Sequence, residues 1–519
     1  MKNHIKGRSA KYGSIAIILT VFVVIAALLF NVVISLLATR FEWMYLPLEK
    51  AGEFKISEEC EDYLREHVFS KVDSHNAKLP DGSREKLVVT FCDSKEAITS
   101  EDWKKHVYTS VTDLADKFPE YIEIKYLNIW ERPGEARELG ATSTTDVVCS
   151  FRGKHESVNM KDLYIYESST SDTIEAYNGE KMIAACLMRV TLEDSPSCYL
   201  TANHGESFDG YEFMRTAIES GYTLGFLDLS VDEIPEDCDL LITYDPQQDL
   251  VSASGVSSVS EADKIDAYLN GGGKYMVFLS ADSFASGDRA NLEGLLKKWG
   301  IEYKHEKGQD SVELCHLIKD TSNSLTVDGY TILADNAKSG LGAEITKNMP
   351  SNNVFSNSTC ISFAEGYEKN ANGDYTATVN GKVRTATALM TSRSTAEAWS
   401  GGKAVARASD EPFVLMSATV QECDNGETAC LVASASTDFA SDAHMKSAVT
   451  GNGRSTMEIF KYFGMDSAPS ELVIKYFGNL EIETLTTQTA NIITVVLAAL
   501  PTVACAVLGI VILVRRKYS

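Results

Sequence analysis

A histidine and a glutamate separated by one glycine, His204-Gly205-Glu206, follow a short β-rich run at Cys198–Ala202. An imidazole and a carboxylate so placed can act as a general base or as a metal pair. The carboxyl end of a strand is also where open α/β sheets collect their ligands. The same residues have a plainer use. Gly205 permits a tight turn, and Glu206 can cap the helix beginning near Gly210 or hold a neighbouring loop. Binding or structural roles are preferred to catalysis. A second strand, Leu240–Tyr244, ends in Asp245-Pro246 and Asp249, which could bind a cation or make an Asx turn. The candidate ligand- or partner-binding set is therefore His204, Glu206, Asp245 and Asp249.

No nucleophile completes this set. Ser280-Ala281-Asp282-Ser283 follows the strand Tyr275–Leu279, but it has no cysteine and lacks the small-residue frame of a nucleophile elbow. The sequence therefore assigns no catalytic residue and reads as a non-enzyme. A hydrolase using His204, Glu206 and a serine is the alternative, and an envelope scaffold a third reading. Asn370–Asp374 resembles a calcium loop only superficially, lacking its terminal glutamate, and reads as a hairpin turn. The 11 cysteines are scattered without a Cys-x-x-Cys pair, which argues against a zinc site or a thioredoxin-type redox centre. Cys423 and Cys430 flank Asp424-Asn425-Gly426. A two-residue turn there sets Cys423 opposite Thr428, so buried free thiols are expected rather than a disulfide. No cofactor and no metal are expected. No Gly-x-x-x-x-Gly-Lys-[Ser/Thr] phosphate loop is present, so ATP hydrolysis would have to come from another chain.

These residues must be positioned by alternating elements. Ser57 reads as the N-cap of a helix over Glu58–Val68. A strand at Leu87–Cys92 is followed by an amphipathic helix with Trp103, Val107, Val111, Leu114 and Phe118 on one face. Strands at Ile122–Leu127 and Val147–Phe151 complete a unit resembling a thioredoxin-like α/β domain without its cysteines. A helix is predicted over Ala176–Leu192, ending before Pro196. From Cys198 onward strands and helices alternate in a doubly wound pattern, with helices at Gly210–Ser220, Glu261–Leu269 and Arg289–Trp299 and a strand at Thr223–Leu229. Residues of about 304–410 are rich in Asn, Ser, Thr and Gly. They carry the hairpin signal Val379-Asn380-Gly381-Lys382 and read as an antiparallel β insertion on the core. Strands Phe413–Val420 and Thr428–Ala433 and a helix at Ser455–Phe463 return to that core.

Two stretches, Gly13–Thr39 and Ala490–Val514, hold no charged residue, and each is long enough to cross a bilayer as a helix. Lys2, Lys6, Arg8 and Lys11 precede the first; Arg515, Arg516 and Lys517 follow the second. Positive flanks stay on the cytoplasmic side. Two spans in the cell membrane, both termini cytoplasmic and residues 40–489 extracytoplasmic are the expected topology. Between the spans lie 41 basic and 73 acidic residues, a formal charge of −32. Such a surface repels nucleic acid and anionic lipid headgroups.

The string Cys198-Tyr199-Leu200-Thr201-Ala202-Asn203-His204-Gly205-Glu206 resembles the strand-then-Thr-Gly-His-Gly-Glu signature of the GldG-like family, gliding-motility-type auxiliary components of ABC transporters. Other segments resemble the family in its order: FKISEECEDYL after the first span, YNGEKMIAACLMRVT, DLLITYDPQQDLVSASGVSSVSEADKIDAYLNGGGKYMVFLSADS, ATALMTSRSTAEAW and ACLVASASTDFASD. The resemblance covers nearly the whole chain except about 304–375. It implies ABC permease and ATPase partners, an auxiliary transport role, and a class I glutamine-amidotransferase-like fold for the larger outer domain. Four regions are accordingly expected. Residues 1–40 form a tail and first span, 41–195 a thioredoxin-like outer domain, 196–470 the amidotransferase-like domain with its β insertion, and 471–519 a stalk, second span and tail. Ala202 and Asn203 depart from the signature's Thr and first Gly. Ala435 and Ser436 stand where the family often has Gly and Asp.

Overall fold

The computed structural model describes residues 54–476, apart from 167–172, 207, 209, 254–258, 286, 288, 308–312, 447–449 and 473. Both apolar stretches, 13–39 and 490–514, lie outside the described residues. Among those described, no helix is long and apolar enough to cross a membrane. The fold is mixed α/β, built on large sheets.

The first sheet has four strands: β1 (Leu87–Phe91), β2 (Ile122–Tyr126), β3 (Asp146–Phe151) and β4 (Lys154–Asn159), in the order β2-β1-β3-β4. β1 and β2 run parallel, as a strand–helix–strand connection requires. The connecting helix α1 (Asp102–Lys117) buries Val107, Val111 and Leu114. β3 and β4 form a hairpin whose turn residues Arg152 and Gly153 have φ of 52° and 75°, the positive values that a tight two-residue turn needs. Helix α2 (Gly179–Thr191) packs across β3 and β4. It starts later than the expected Ala176, because Ile174–Tyr177 is a strand paired with Tyr164–Tyr166. The apolar run that suggests a helix there is shared between two elements.

A far larger sheet carries the candidate residues. Nine of its thirteen strands form one continuous path: β5 (Ser197–Thr201), β6 (Thr223–Leu227), β7 (Cys238–Tyr244), β8 (Lys274–Phe278), β9 (Thr331–Asn336), β10 (Val354–Ser356), β11 (Lys382–Ser392), β12 (Val414–Glu422) and β13 (Thr428–Ser434). They lie in the order β10-β9-β11-β12-β13-β8-β7-β5-β6. The five from β13 to β6 are parallel. The four from β12 to β10 are antiparallel. Alternate residues of the parallel strands face opposite ways. Leu200, Ile242, Met276 and Phe278 pack with Phe213 of α3 (Tyr211–Glu219) and Phe460 on one side. Leu241, Tyr275 and Val277 pack on the other with Ile265 and Leu269 of α4 (Glu261–Asn270) and Leu295 of α5 (Ala290–Lys298). Period-two burial on both faces is why these strands read as continuous apolar runs.

The 304–410 region, read as an antiparallel β insertion on the core, is antiparallel and runs into the main sheet. It supplies β9, β10 and β11, which continue the main sheet, and β11 lies inside it between β9 and β12. It also holds helix α6 (Gly340–Thr346). Small residues hide this in the sequence: Ala386, Thr387 and Ser392 of β11 are buried. The hairpin at Val379–Lys382 forms as read, with Asn380 and Gly381 at φ of 52° and 81°. Cys423 and Cys430 are free and out of register, although Cys423 bonds to Glu427 rather than facing Thr428, because the turn has three residues.

Candidate functional site

The chain leaves β5 for β6 on one side and then returns to β7 on the other, so the winding direction switches at β5. The loops after β5 and β7 part there and leave a crevice at the carboxyl ends of the strands, the usual ligand position of such sheets. His204 and Glu206 lie in the first loop, Asp245 and Asp249 in the second.

His204 is only 2% exposed. Its Nε2 lies 2.7 Å from Glu261 Oε2 and its Nδ1 3.1 Å from Glu206 Oε1. The backbone N–H of His204 also donates to Glu206 Oε2 at 2.8 Å, and Thr201 Oγ1 to Glu206 Oε1 at 3.2 Å. Burial disfavours the charged ring, but hydrogen bonds and charge from Glu206 and Glu261 outweigh it and raise the His204 pKa to about 9. For Glu206 burial pushes the pKa upward, yet the His204 hydrogen bond and backbone donors bring it below its ordinary value. The imidazolium is thus clamped between two carboxylates. Glu261 opens α4 behind its N-cap Ser260, and its Oε2 accepts the Val251 N–H at 2.6 Å. The His204 carbonyl accepts from Gln247 and Gln248. One buried ring therefore ties together the loop after β5, the loop after β7 and the start of α4.

Asp245 and Asp249 do different work. Asp249 accepts the Asn291 and Leu292 N–H groups at 2.8 and 3.1 Å and caps α5. Asp245 adopts φ of 44° and accepts from Ser283 Oγ at 2.5 Å; burial raises its pKa, which that hydrogen bond partly opposes. Ser283 Oγ in turn accepts the Ser280 N–H at 2.9 Å. The structure brings His204 to Glu206 and Asp245 to Ser283, as two separate clusters. Both imidazole nitrogens engage carboxylates, and the serine donates to a carboxylate, so a Ser–His relay is not assembled. We expect the purified chain not to react with a fluorophosphonate, a reagent for activated serines. Labelling that disappears in Ser283→Ala would restore the hydrolase.

Sequence reasoning missed Glu261, although a helix-opening acid behind a serine cap was the available signal. It also missed Phe226 on edge strand β6. This side chain is 71% exposed and lines a cavity of 390 Å³ with Leu200, Asn203, Glu206, Phe208 and Tyr244. The Asn203 departure now has a physical reading. Its φ is 78°, a left-handed conformation in which glycine is the easiest residue and asparagine the next, and its amide donates to Asp228. At the other departure, Ser436 is buried and its hydroxyl donates to the Ser356 carbonyl at 2.6 Å. Asn370–Asp374 is a turn, with Asn370 N–H on the Asp374 carbonyl, and among the described residues no acidic, His or Cys cluster is arranged to hold a metal.

Residues 192–322 match the family described as ABC-type uncharacterized transport system, the auxiliary family that the β5 signature resembles. No curated protein matches the sequence. Among solved structures, the "mmIFT52 N-terminal domain" is similar at 15% identity and a TM-score of 0.35, covering 52% of this chain and 97% of that one. "Cytoplasmic Protein STM3548 from Salmonella typhimurium" is similar at 10% identity and a TM-score of 0.27, covering 54% and 99%. Structural likeness at that level carries no argument about this chain.

Proposed function

We infer, from a chain whose residues 192–322 belong to a family of ABC-type transport auxiliaries, that the protein is a non-enzymatic, membrane-anchored auxiliary subunit of an ABC transporter. Its extracytoplasmic part, in this reading, pairs a thioredoxin-like domain over 41–195 with an amidotransferase-like domain over 196–470. The second binds a ligand or partner. The observation that carries the proposal is the crevice at the β5 switch point, which lies within the family-matched stretch. His204 and Glu206 hold its loops, Asp245 and Asp249 brace the opposite rim, and Phe226 offers an exposed aromatic edge. The charge-free stretches at 13–39 and 490–514 support the anchors, and the absence of a phosphate loop supports a separate ATPase.

The test is recovery of the full chain from membranes in mild detergent. A phosphate-loop ATPase and a multi-span permease should co-purify, identified by mass spectrometry. Phe226→Ala should reduce their recovery about tenfold, as loss of an aromatic anchor does, without lowering the melting temperature. Purification without either subunit would remove the transport reading; unchanged recovery with Phe226→Ala would remove the crevice from it.

Topology has its own measurement. Val405, an exposed position, is expected to react as Val405→Cys with a membrane-impermeant maleimide on intact cells. Asn3→Cys and Tyr518→Cys should react only after lysis. The reverse pattern would overturn the two-anchor topology.

A further inference from the structure

A larger cavity than the β5 crevice lies elsewhere, and most of its walls, from Asp335 to Val414, are beyond the family-matched segment. It is a cleft of 850 Å³ between the loop after β9, the body of β11 and the approach to β12. We propose that this cleft is a second binding site, for an acidic saccharide: sugar rings carrying carboxylates.

Three observations converge on that chemistry. The first is charge. The outer part of the chain is strongly acidic, yet the lining of this cleft has five Lys or Arg against three Asp or Glu. Lys338 and Arg393 share Asp335, Lys369 meets Glu411 and Arg407 meets Glu397, so the pull on an anion rests on Lys304 and on the second edge of the Arg393 guanidinium. Arg393 is held in place before any ligand arrives, with its Nε 3.2 Å from Asp335 Oδ1 and its Nη1 2.9 Å from Asn323 Oδ1. Asn323 is fixed by Asp320 and Thr395 in turn. A planar guanidinium oriented this way suits a carboxylate, and Arg393 Nη2 has no partner among the described residues. Lys304 is exposed at the cleft and makes no ion pair among the described residues.

The second observation is an aromatic platform. Phe363 and Tyr375 are half-buried in the cleft and stacked, with centroids 4.1 Å apart and 21° between their planes. Lys369 Nζ sits 5.4 Å from the Tyr375 ring centre. The third is the rest of the lining, where Ser339, Ser362, Thr391 and Ser394 offer hydroxyl groups. Cations alone would suit any anion. A flat apolar platform beside many short hydrogen-bonding side chains suits a ring bearing hydroxyls on its edge and C–H groups on its face.

The test uses the full chain in detergent and calorimetric titration with trigalacturonate, its methyl ester and hexaglutamate. Trigalacturonate should bind, and the ester, which lacks the charges, should bind about ten- to a hundredfold more weakly, the cost of losing a bond to a charged group. Lys304→Glu and Tyr375→Ala should each weaken trigalacturonate about tenfold or more. Lys304 is exposed and outside the core, so Lys304→Glu keeps the test valid if Tyr375→Ala folds poorly. Failure of trigalacturonate to bind at millimolar concentration overturns the proposal. Equal binding of hexaglutamate overturns it too, since the site would then select charge without a ring, as does ester binding that matches the acid.

Discussion

His204→Ala is expected to destabilise the protein by about 3–5 kcal/mol, the usual result of breaking a buried ion pair by removing one partner. The loss is large because Glu206 and Glu261 are left facing each other with no cation between them. For a domain of this size that is a fall in melting temperature on the order of 10 °C. The pH dependence has a definite sign. The folded-state pKa of His204, about 9, lies above the ordinary value of 6.5, so its stabilising contribution is complete below about pH 6.5 and is lost as pH rises through about 9. Denaturant unfolding of the wild type and His204→Ala across that range should give curves that converge toward high pH. A gap that stays constant, or that widens with pH, would refute the charged clamp. Glu261→Gln should cost less, since an amide keeps a hydrogen-bonding oxygen beside the ring.

The second large effect is expected at Arg384, in the middle of the large sheet. This arginine of β11 is 2% exposed and lies over the Trp299 ring at 3.8 Å. It donates to Gln421 Oε1 at 2.8 Å, to the Lys298 carbonyl at 2.7 Å and to Asn270 Oδ1 at 3.0 Å. One side chain therefore joins β11 to β12 and to the carboxyl-terminal ends of both α4 and α5. Arg384→Ala opens a cavity against Trp299 and leaves three acceptors short of a donor, a loss of about 3–5 kcal/mol. Arg384→Lys retains the charge but not the planar fork, and should fall between wild type and alanine. The measurement is the denaturation midpoint of each variant. An alanine variant within about 0.5 kcal/mol of wild type, the range of ordinary surface substitutions, would show that the arginine is not a tie.

The parallel half of the large sheet was legible because its strands are buried on both faces and its helices carry caps and glycine stops. Glu261–Asn270, with Ser260 before it and Gly271 after it, needs only local rules. The antiparallel half was not legible, since its strand partners are distant and its buried residues are small. Thr385-Ala386-Thr387-Ala388 has no apolar face until β9 and β12 enclose it. At the candidate site, His204 and Glu206 could be found from type and spacing. Their burial could not, because the third member, Glu261, comes from a helix 57 residues later. Asp249 was identified as a strand-end acid, but whether such an acid binds a ligand or caps a helix depends on where α5 arrives.

The neighbour relations of β8 bear on how the protein is made. β8 ends at residue 278, and its partner β13 spans Thr428–Ser434, so about 150 residues of chain must appear before that edge is covered. Synthesis from the amino terminus presents β5 to β8 first, as a parallel block with one long border open. Parallel, long-range pairing of this kind is slow to form and exposed to aggregation meanwhile. The last strands are thus a closing seam. A chain halted anywhere between β8 and β13 would hold a correct half-sheet with an adhesive margin, ready to stick to another unfinished copy. Truncations that stop short of residue 434 should therefore accumulate as aggregates rather than as smaller folded proteins.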